Sequence, residues 1–145
     1  MSEVYPDEFI KQILLETKVI ALVGASNKPS RDSNHVMAYL QEVGYRVIPV
    51  NPGLAGQKLH GETVYGQLSD IPQQETGPID MVDVFRNSEA ALVIAEQAIA
   101  VGAKTVWMQL GVVNPEAAAK ARSAGLRVVM NRCPAIEIPR LRPFS

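Results

Sequence analysis

Short apolar runs rich in valine and isoleucine alternate with segments of helical period along almost the whole chain. The first run, between Lys18 and Gly24, is uninterrupted, which is typical of a strand buried on both faces. Helical segments of about 11–14 residues separate the runs, and this spacing indicates βαβ crossovers. The pattern predicts an α/β protein with a doubly wound, mainly parallel sheet of about five strands and helices on both faces. The later strands are expected at residues 45–50, 79–85, 104–108 and 126–130.

Capping residues and glycines mark the ends of the predicted helices. Ser33 is the expected N-cap of the second helix, and Gly44 is placed to end it. In the third helix the spacing puts Leu92, Ala95 and Ile99 on the inner face. The helices are expected from Asp7 to Thr17, from Ser33 to Gly44, from Asn87 to Val101, from Asn114 to Gly125 and from Pro134 to Leu141.

Proline and glycine predict irregular structure around the second strand. Pro49 cannot donate to a strand ladder, so the ladder is expected to loosen near residue 49. Residues 51–78 are rich in glycine and proline and should form loops. Within them we expect a short strand at 63–65 and one helical turn at 67–71.

Size and charge exclude several classes of protein. A chain of 145 residues is expected to form one domain over residues 1–145. Its net charge of −1 provides no long-range attraction to nucleic acid or to an anionic membrane, and no apolar run is long enough to cross a bilayer. Residues 1–8 lack the features of a secretory signal, and the single cysteine, Cys133, excludes an internal disulfide. A cytoplasmic location is therefore expected.

The loop after the first strand is the most informative candidate for ligand binding, since ligands of such sheets bind beyond the carboxyl ends of the strands. A glycine, three serines, Lys28 and Arg31 precede a helix start there, and such a setting favours a phosphate. A dinucleotide fingerprint would need glycines in place of Ser26 and Pro29, and Asn51 stands where an acidic ribose ligand is expected. The alternative is a polar turn in which a serine caps the helix.

Other strand ends offer weaker signals. Phe85 and Arg86 could sandwich an adenine or pair with a phosphate, or they could be a core aromatic and a solvated cation. Both histidines lack the spacing of a metal pair, and Cys133 is interpreted as a small buried side chain. We find no set of nucleophile, base and orienting group, so neither a catalytic residue nor a metal site is predicted.

Five motifs follow one another at the strand ends. They are Gly24-Ala25-Ser26 with Pro29, Arg31 and Ser33, then residues 47–52, Asp83 to Arg86, Trp107 to Gly111, and Asn131 to Pro134. In this order they resemble the small CoA-binding proteins, which are similar to the amino-terminal CoA-binding domain of the succinyl-CoA synthetase α subunit and of ADP-forming acyl-CoA synthetases. The resemblance extends from about Lys18 to Pro134 and implies a Rossmann-like domain.

The resemblance implies that the ligand is coenzyme A or an acyl-CoA. Its phosphates would lie in the first loop, its nucleotide beside the second strand, its adenine after the third and its pantetheine arm after the fourth. In that order the implied binding residues are Gly24, Ala25, Ser26, Lys28 and Arg31; Asn51 and Pro52; Val84, Phe85 and Arg86; and Gln109 and Gly111.

Synthetase activity is not implied, because the synthetases carry their phosphorylated histidine and nucleotide site on further domains or subunits. The expectation is a binding module without an evident catalytic centre of its own. Two alternatives remain open at the level of the sequence. One is an NAD(P)-binding Rossmann module, and the other is a CoA-binding subunit that acts in trans with a larger acyl-CoA enzyme, which would be its protein partner.

Overall fold

A five-stranded parallel sheet organises the fold. The computed structural model describes residues 4–144, so Met1 to Glu3 and Ser145, at the ends of the expected domain, lie outside the described residues. In chain order the elements are α1 (Asp7–Glu16), β1 (Val19–Val23), α2 (Asp32–Glu42), β2 (Arg46–Val50), β3 (Lys58–Leu59), β4 (Glu62–Thr63), α3 (Gln73–Thr76), β5 (Met81–Val84), α4 (Ala91–Ala100), β6 (Thr105–Met108), α5 (Pro115–Ser123), β7 (Arg127–Val129) and α6 (Pro134–Leu141).

The strand order is β2-β1-β5-β6-β7, and every neighbouring pair in this sheet is parallel. The chain therefore leaves β1 toward one edge of the sheet and returns at β5 on the other side of β1. This is the order of a doubly wound sheet, and it confirms the predicted α/β, Rossmann-like fold class. The topological switch point lies between β1 and β5, where a ligand crevice is expected.

Burial on both faces explains why β1 is uninterrupted in sequence. All five of its residues are buried. Val19, Ala21 and Val23 pack on the face covered by α4 and α5, whereas Ile20 and Leu22 pack on the face covered by α1, α2 and α6. A helix layer on each face removes the whole strand from water, which selects apolar side chains at consecutive positions.

The expected loosening near Pro49 is wrong. The β1–β2 register continues through Leu22 opposite Pro49 and Val23 opposite Val50. The Pro49 carbonyl accepts a hydrogen bond from the Tyr65 amide on the outer side of β2. Since the nitrogen and the carbonyl of one strand residue point the same way, the missing N–H of Pro49 faces away from β1 and interrupts no bond of the ladder.

Two details of the helices also differ from expectation. Ser33 is not an N-cap: α2 begins at Asp32 after the extended backbone of Arg31, and Ser33 is its second, buried residue. In α4 a 3₁₀ turn over residues 88–90 precedes the helix and the inner face is rotated, so that Leu92 and Ile99 are half-buried. Ala95 is buried as expected, and the buried residues of α4 are Ala91, Ile94, Ala95 and Ala98.

Residues 51–78 hold more structure than expected. Strands β3 and β4 form a hairpin through a two-residue turn at His60 and Gly61, and both turn residues have positive φ. The expected short strand at 63–65 corresponds to β4 and to a bridge between Val50 and Tyr65. The expected helical turn at 67–71 is a 3₁₀ turn over Leu68–Asp70. None of the helices within residues 4–144 is long and apolar enough to span a membrane.

Candidate functional site

A cavity of about 1210 Å³ opens at the carboxyl ends of β1, β2 and β5, at the switch point of the sheet. Pockets for drug-sized ligands occupy roughly 300–1,000 Å³, so the cavity has room for an elongated molecule. Nine of the twelve residues expected to bind a ligand line it together. They are Gly24, Ala25, Ser26, Lys28, Arg31, Asn51, Pro52, Phe85 and Arg86.

Gly24 brings the first loop against the end of β5. Its φ of +96° is in the region that favours glycine, and a Cβ on this residue would overlap the Phe85 carbonyl oxygen. The same Cβ would lie 3.2 Å from Cδ of Arg86, so the stem of Arg86 passes beside the Gly24 backbone. Glycine at this position thus lets Phe85 and Arg86 share one wall of the cavity with the loop.

The start of α2 supplies backbone donors to the same cavity. The amides of Asp32 and Ser33, the first two residues of α2, have no acceptor among residues 4–144. Before them the loop is held by its own bonds, from the Lys28 amide to Ser26 Oγ at 3.1 Å and from the Arg31 amide to the Lys28 carbonyl at 3.0 Å. A helix N-terminus with free amides attracts an anion.

Three cations share the lining of the cavity with this N-terminus. Lys28, Arg31 and Arg86 line the cavity and are exposed, and none of them forms an ion pair with any residue that the structure describes. The exposed carboxylate of Asp32 lies in the same lining and offsets one of the three charges. The cavity therefore carries local positive charge on a chain whose net charge is −1.

Asn51 connects the two loops that border the cavity. Its Nδ2 donates to the Ala25 carbonyl at 2.7 Å, and its Oδ1 accepts from the Gly53 amide at 2.7 Å. Both ends of the amide are therefore engaged within the protein. An aspartate here would place a carboxylate oxygen against the Ala25 carbonyl, which explains in physical terms why the acidic ribose ligand of dinucleotide sites does not suit this position.

Three of the expected binding residues lie away from this cavity. Val84 is fully buried in the sheet core. Gln109 is 5% exposed, and Gly111 is exposed with its amide donating to Asn131 Oδ1 at 2.8 Å. These positions follow β6 or lie inside β5, whereas the cavity is centred on the ends of β1, β2 and β5.

Gln109 has a buried carboxyl as its neighbour. With its amide nitrogen facing Asp83, Gln109 donates to the two carboxyl oxygens at 2.9 and 3.2 Å. Asp83 is completely buried, and burial raises its pKa well above the ordinary aspartate value. The sequence did not indicate that Asp83 and Gln109 would be neighbours, because they belong to different strand ends.

Helix α4 forms one wall of the cavity, which the sequence did not indicate. Ala90, Val93, Ile94 and Gln97 line the cavity over about two turns of helix. Val93 is 55% exposed there, an unusual position for an apolar side chain at the edge of a polar loop. Its signal in the sequence is an apolar residue off the inner face of α4, which is visible only after that face is assigned.

The remaining candidate groups are spread over the fold. His35 is exposed on α2, His60 is at the tip of the hairpin, and Cys133 is 6% exposed and belongs to the core cluster. Within residues 4–144, no group of three or more His, Cys, Asp or Glu side chains is arranged to hold a metal ion.

The fold and the cavity define a Rossmann-like domain whose ligand crevice lies at the switch point of a parallel sheet. Within this class the chain belongs to the CoA binding domain family, whose model matches residues 18–139. This match confirms the resemblance identified from the five motifs.

Similar proteins come from bacteria and archaea. The protein YneT of Bacillus subtilis (strain 168) is 40% identical over 124 residues, which are 86% of this chain and 87% of YneT. A solved structure from Pyrococcus horikoshii OT3 is 46% identical with a TM-score of 0.87, covering 98% of this chain and 99% of that one.

A larger enzyme shares the fold at lower identity. The acetyl-coenzyme A synthetase 1 of Ca. Korarchaeum cryptofilum, described as dinucleotide forming and solved in complex with phosphate and ADP, is 25% identical with a TM-score of 0.66. The similarity covers 81% of this chain and 26% of that chain. Most of that synthetase therefore lies outside the region that resembles this protein.

Proposed function

We propose that the protein binds coenzyme A or an acyl-CoA in the cavity at the switch point, as one domain and without a catalytic centre of its own. The observation that carries this proposal is the start of α2, where two free amides adjoin Lys28 and Arg31, with Arg86 in the same lining. CoA has a diphosphate and a 3′-phosphate, so it provides the anions that such a cavity attracts.

In this proposal the loop after β1 contacts the phosphates of the ligand, and the end of β5 contacts its adenine. Gly24, Ala25 and Ser26 would provide backbone to the phosphates, while Lys28 and Arg31 contribute charge. Phe85 and Arg86 would contact the adenine, and Asn51 and Pro52 would border the nucleotide. Membership of the CoA binding domain family supports CoA as the ligand.

The positions of Val84, Gln109 and Gly111 modify their expected roles. Because Val84 is fully buried, it would support the adenine side from the core. Gln109 and Gly111 lie beyond the cavity, in the loop after β6. They would meet only a pantetheine arm that extends from the cavity across the ends of β5 and β6.

A ligand panel tests the proposal directly. Melting temperatures are measured with saturating CoA, acetyl-CoA, NAD and NADP, and each Kd is measured by calorimetry. A ligand at a hundredfold excess over Kd stabilises the folded state by about 2.7 kcal/mol, which raises the Tm of a chain of this size by roughly 5–10 °C. We expect this shift with CoA or acetyl-CoA. No shift with either would refute CoA binding, and a shift confined to NAD or NADP would favour a dinucleotide module.

A CoA-binding subunit acting in trans is the second candidate. The observation that favours it is the synthetase relative, in which the region similar to this chain is about a quarter of the polypeptide. A separate partner would then supply the chemistry. Gel filtration from native extract distinguishes the candidates, because a lone monomer or homo-oligomer contradicts a stable complex.

A further inference from the structure

The β3–β4 hairpin is attached to α2 by two side-chain hydrogen bonds. At its tip, His60 Nε2 lies 2.9 Å from Asn34 Oδ1, and Gln41 Nε2 donates to the His60 carbonyl at 3.1 Å. Asn34 and Gln41 are seven residues apart, or about two helical turns, and so lie on one side of α2. The hairpin is thus fixed to the helix at two points.

One of these bonds continues into the candidate site. Asn34 Nδ2 donates to the Ser26 carbonyl at 2.9 Å, and Ser26 Oγ accepts from the Lys28 amide at 3.1 Å. Because the amide nitrogen of Asn34 faces a carbonyl, its oxygen faces His60, and the imidazole must be the donor. A continuous path of hydrogen bonds therefore leads from the hairpin tip to two residues that line the cavity.

The turn itself does not favour histidine. His60 and Gly61 have φ of +48° and +83°, and a two-residue hairpin turn with positive φ at both positions is most readily formed by Asn-Gly. Asparagine would therefore suit the first turn position better. The histidine side chain is longer, and its length allows Nε2 to reach Asn34.

We propose that His60 is a positioning residue for the ligand site and acts through Asn34 on the conformation of the Ser26–Lys28 loop. This inference rests on the proposed function, because its effect is measured as affinity for CoA. The imidazole holds the Asn34 amide in the orientation that binds the Ser26 carbonyl, so the loop is ordered before the ligand arrives. A preordered loop binds more tightly because less conformational freedom is lost on binding.

The decisive variant is His60→Asn, which retains and improves the turn while removing the donor to Asn34. We expect the Tm of the free protein to be unchanged or higher and the Kd for CoA to rise about three- to tenfold, the effect of one net hydrogen bond. If His60 only stabilised the fold, a variant with an unchanged or higher Tm would bind CoA as well as the wild type does.

Gln41→Ala is the matched control. It removes the other bond between α2 and the hairpin, which ends on the His60 backbone carbonyl, and leaves the bonds from the imidazole to Asn34 and from Asn34 to Ser26 in place. CoA affinity should therefore be unchanged. In an Asn34→Ala background, His60→Asn should cause no further loss of affinity, since the two residues act in one path. If wild-type protein binds CoA and His60→Asn binds it equally well, the positioning role is refuted. If wild-type protein does not bind CoA, the proposed function itself fails.

Discussion

Individual buried polar atoms show how this sheet accommodates groups that apolar strands usually exclude. Asp83 lies inside β5 with Gln109 as its amide partner, and Asp80 accepts from the Lys18 and Val19 amides at 2.9 and 3.0 Å. Asp80 thereby satisfies two donors at the start of β1. The two aspartates are three positions apart, so they project to opposite faces of the strand and serve unrelated purposes.

Replacing Asp83 by Asn should remove a pH dependence of stability. In the unfolded chain the group ionises near its ordinary pKa of 3.8, but burial keeps it protonated to higher pH in the folded protein. Between these two pKa values the unfolded state binds fewer protons, so the free energy of unfolding falls as pH rises, by at most about 1.4 kcal/mol per pH unit. Urea unfolding from pH 4 upward should show Asp83→Asn gaining stability over wild type with increasing pH.

Asp70→Asn at an exposed carboxyl is the control for that series. In Asp83→Asn the side chain of Gln109 can rotate so that its oxygen accepts from the amide introduced at position 83, and this variant therefore retains a hydrogen bond. A constant difference between Asp83→Asn and wild type across the pH range would show that Asp83 ionises alike in both states.

Thr105→Val should stabilise the protein. Thr105 is fully buried in β6, and its hydroxyl has no hydrogen-bond partner among the described residues. Valine has nearly the same shape, so the change removes an unpaired polar group and should raise the free energy of unfolding by about 1 kcal/mol. Thr17→Val is the matched control, because the Thr17 hydroxyl donates to the Ile13 carbonyl at 2.7 Å and its loss should destabilise. Equal effects in urea unfolding would contradict this explanation.

At the scale of the elements, the loop after β1 and the start of α2 act as one anion-attracting unit. Its amides have fixed directions because they belong to a helix, whereas its cations are on exposed side chains. The amides contribute geometry and the cations contribute charge that salt screens. The two contributions can therefore be separated by measuring affinity at several ionic strengths.

Replacing both Lys28 and Arg31 by Ala should weaken CoA binding by at least about tenfold for each cation, since hydrogen bonds to charged groups have about twice the strength of neutral ones. The remaining affinity should depend less on salt. Calorimetry at 50 and 300 mM salt measures both effects. Lys104→Ala removes an exposed cation just before β6, at the amino ends of the strands and so away from the cavity. It should leave the affinity for CoA and its salt dependence unchanged. An unaltered salt dependence in the double variant would place the phosphates elsewhere.

The element boundaries show what periodicity can and cannot predict. Short runs rich in valine and isoleucine predicted the five strands, because burial on both faces of the sheet selects apolar side chains at most positions. The Pro49 expectation was wrong because the direction of a missing N–H depends on which side of the strand has a neighbour. Ser33 is not an N-cap because the N-cap position of α2 is Arg31, two residues earlier, and the inner face of α4 is rotated after the 3₁₀ turn that precedes it.

At the scale of the whole molecule, the position of the switch point between β1 and β5 determines which strand-end residues lie close together. The rule that ligands bind at carboxyl ends selected the loops after the strands, the family resemblance implied twelve binding residues, and nine of them line one cavity. It could not separate them from Gln109 and Gly111, because the position of the switch point follows from strand order. Strand order is set by long-range pairing, and no local pattern encodes it. The α4 wall and the path from His60 were missed for the same reason.

The net charge of the whole molecule is negative, whereas the charge at the cavity is positive. The net charge of −1 provides no long-range attraction to nucleic acid, yet three cations without ion pairs in the described chain line the cavity at the carboxyl ends of β1, β2 and β5. A small anionic ligand experiences this local field within a Debye length of about 8–10 Å, and a large polyanion experiences the whole chain, whose net charge is −1.

Because β1 lies between β2 and β5, its two edges are covered at different times during synthesis. Ile20 pairs with Met81, sixty-one residues later in the chain, whereas its other neighbour, Val47, follows after only twenty-seven. A nascent chain can therefore complete β1, α2 and β2 long before the second edge of β1 is covered. Until β5 leaves the ribosome, an apolar strand edge remains open to pairing with other chains. The strand order that creates the crevice thus also sets an interval during synthesis in which the edge of β1 is exposed to pairing with other chains.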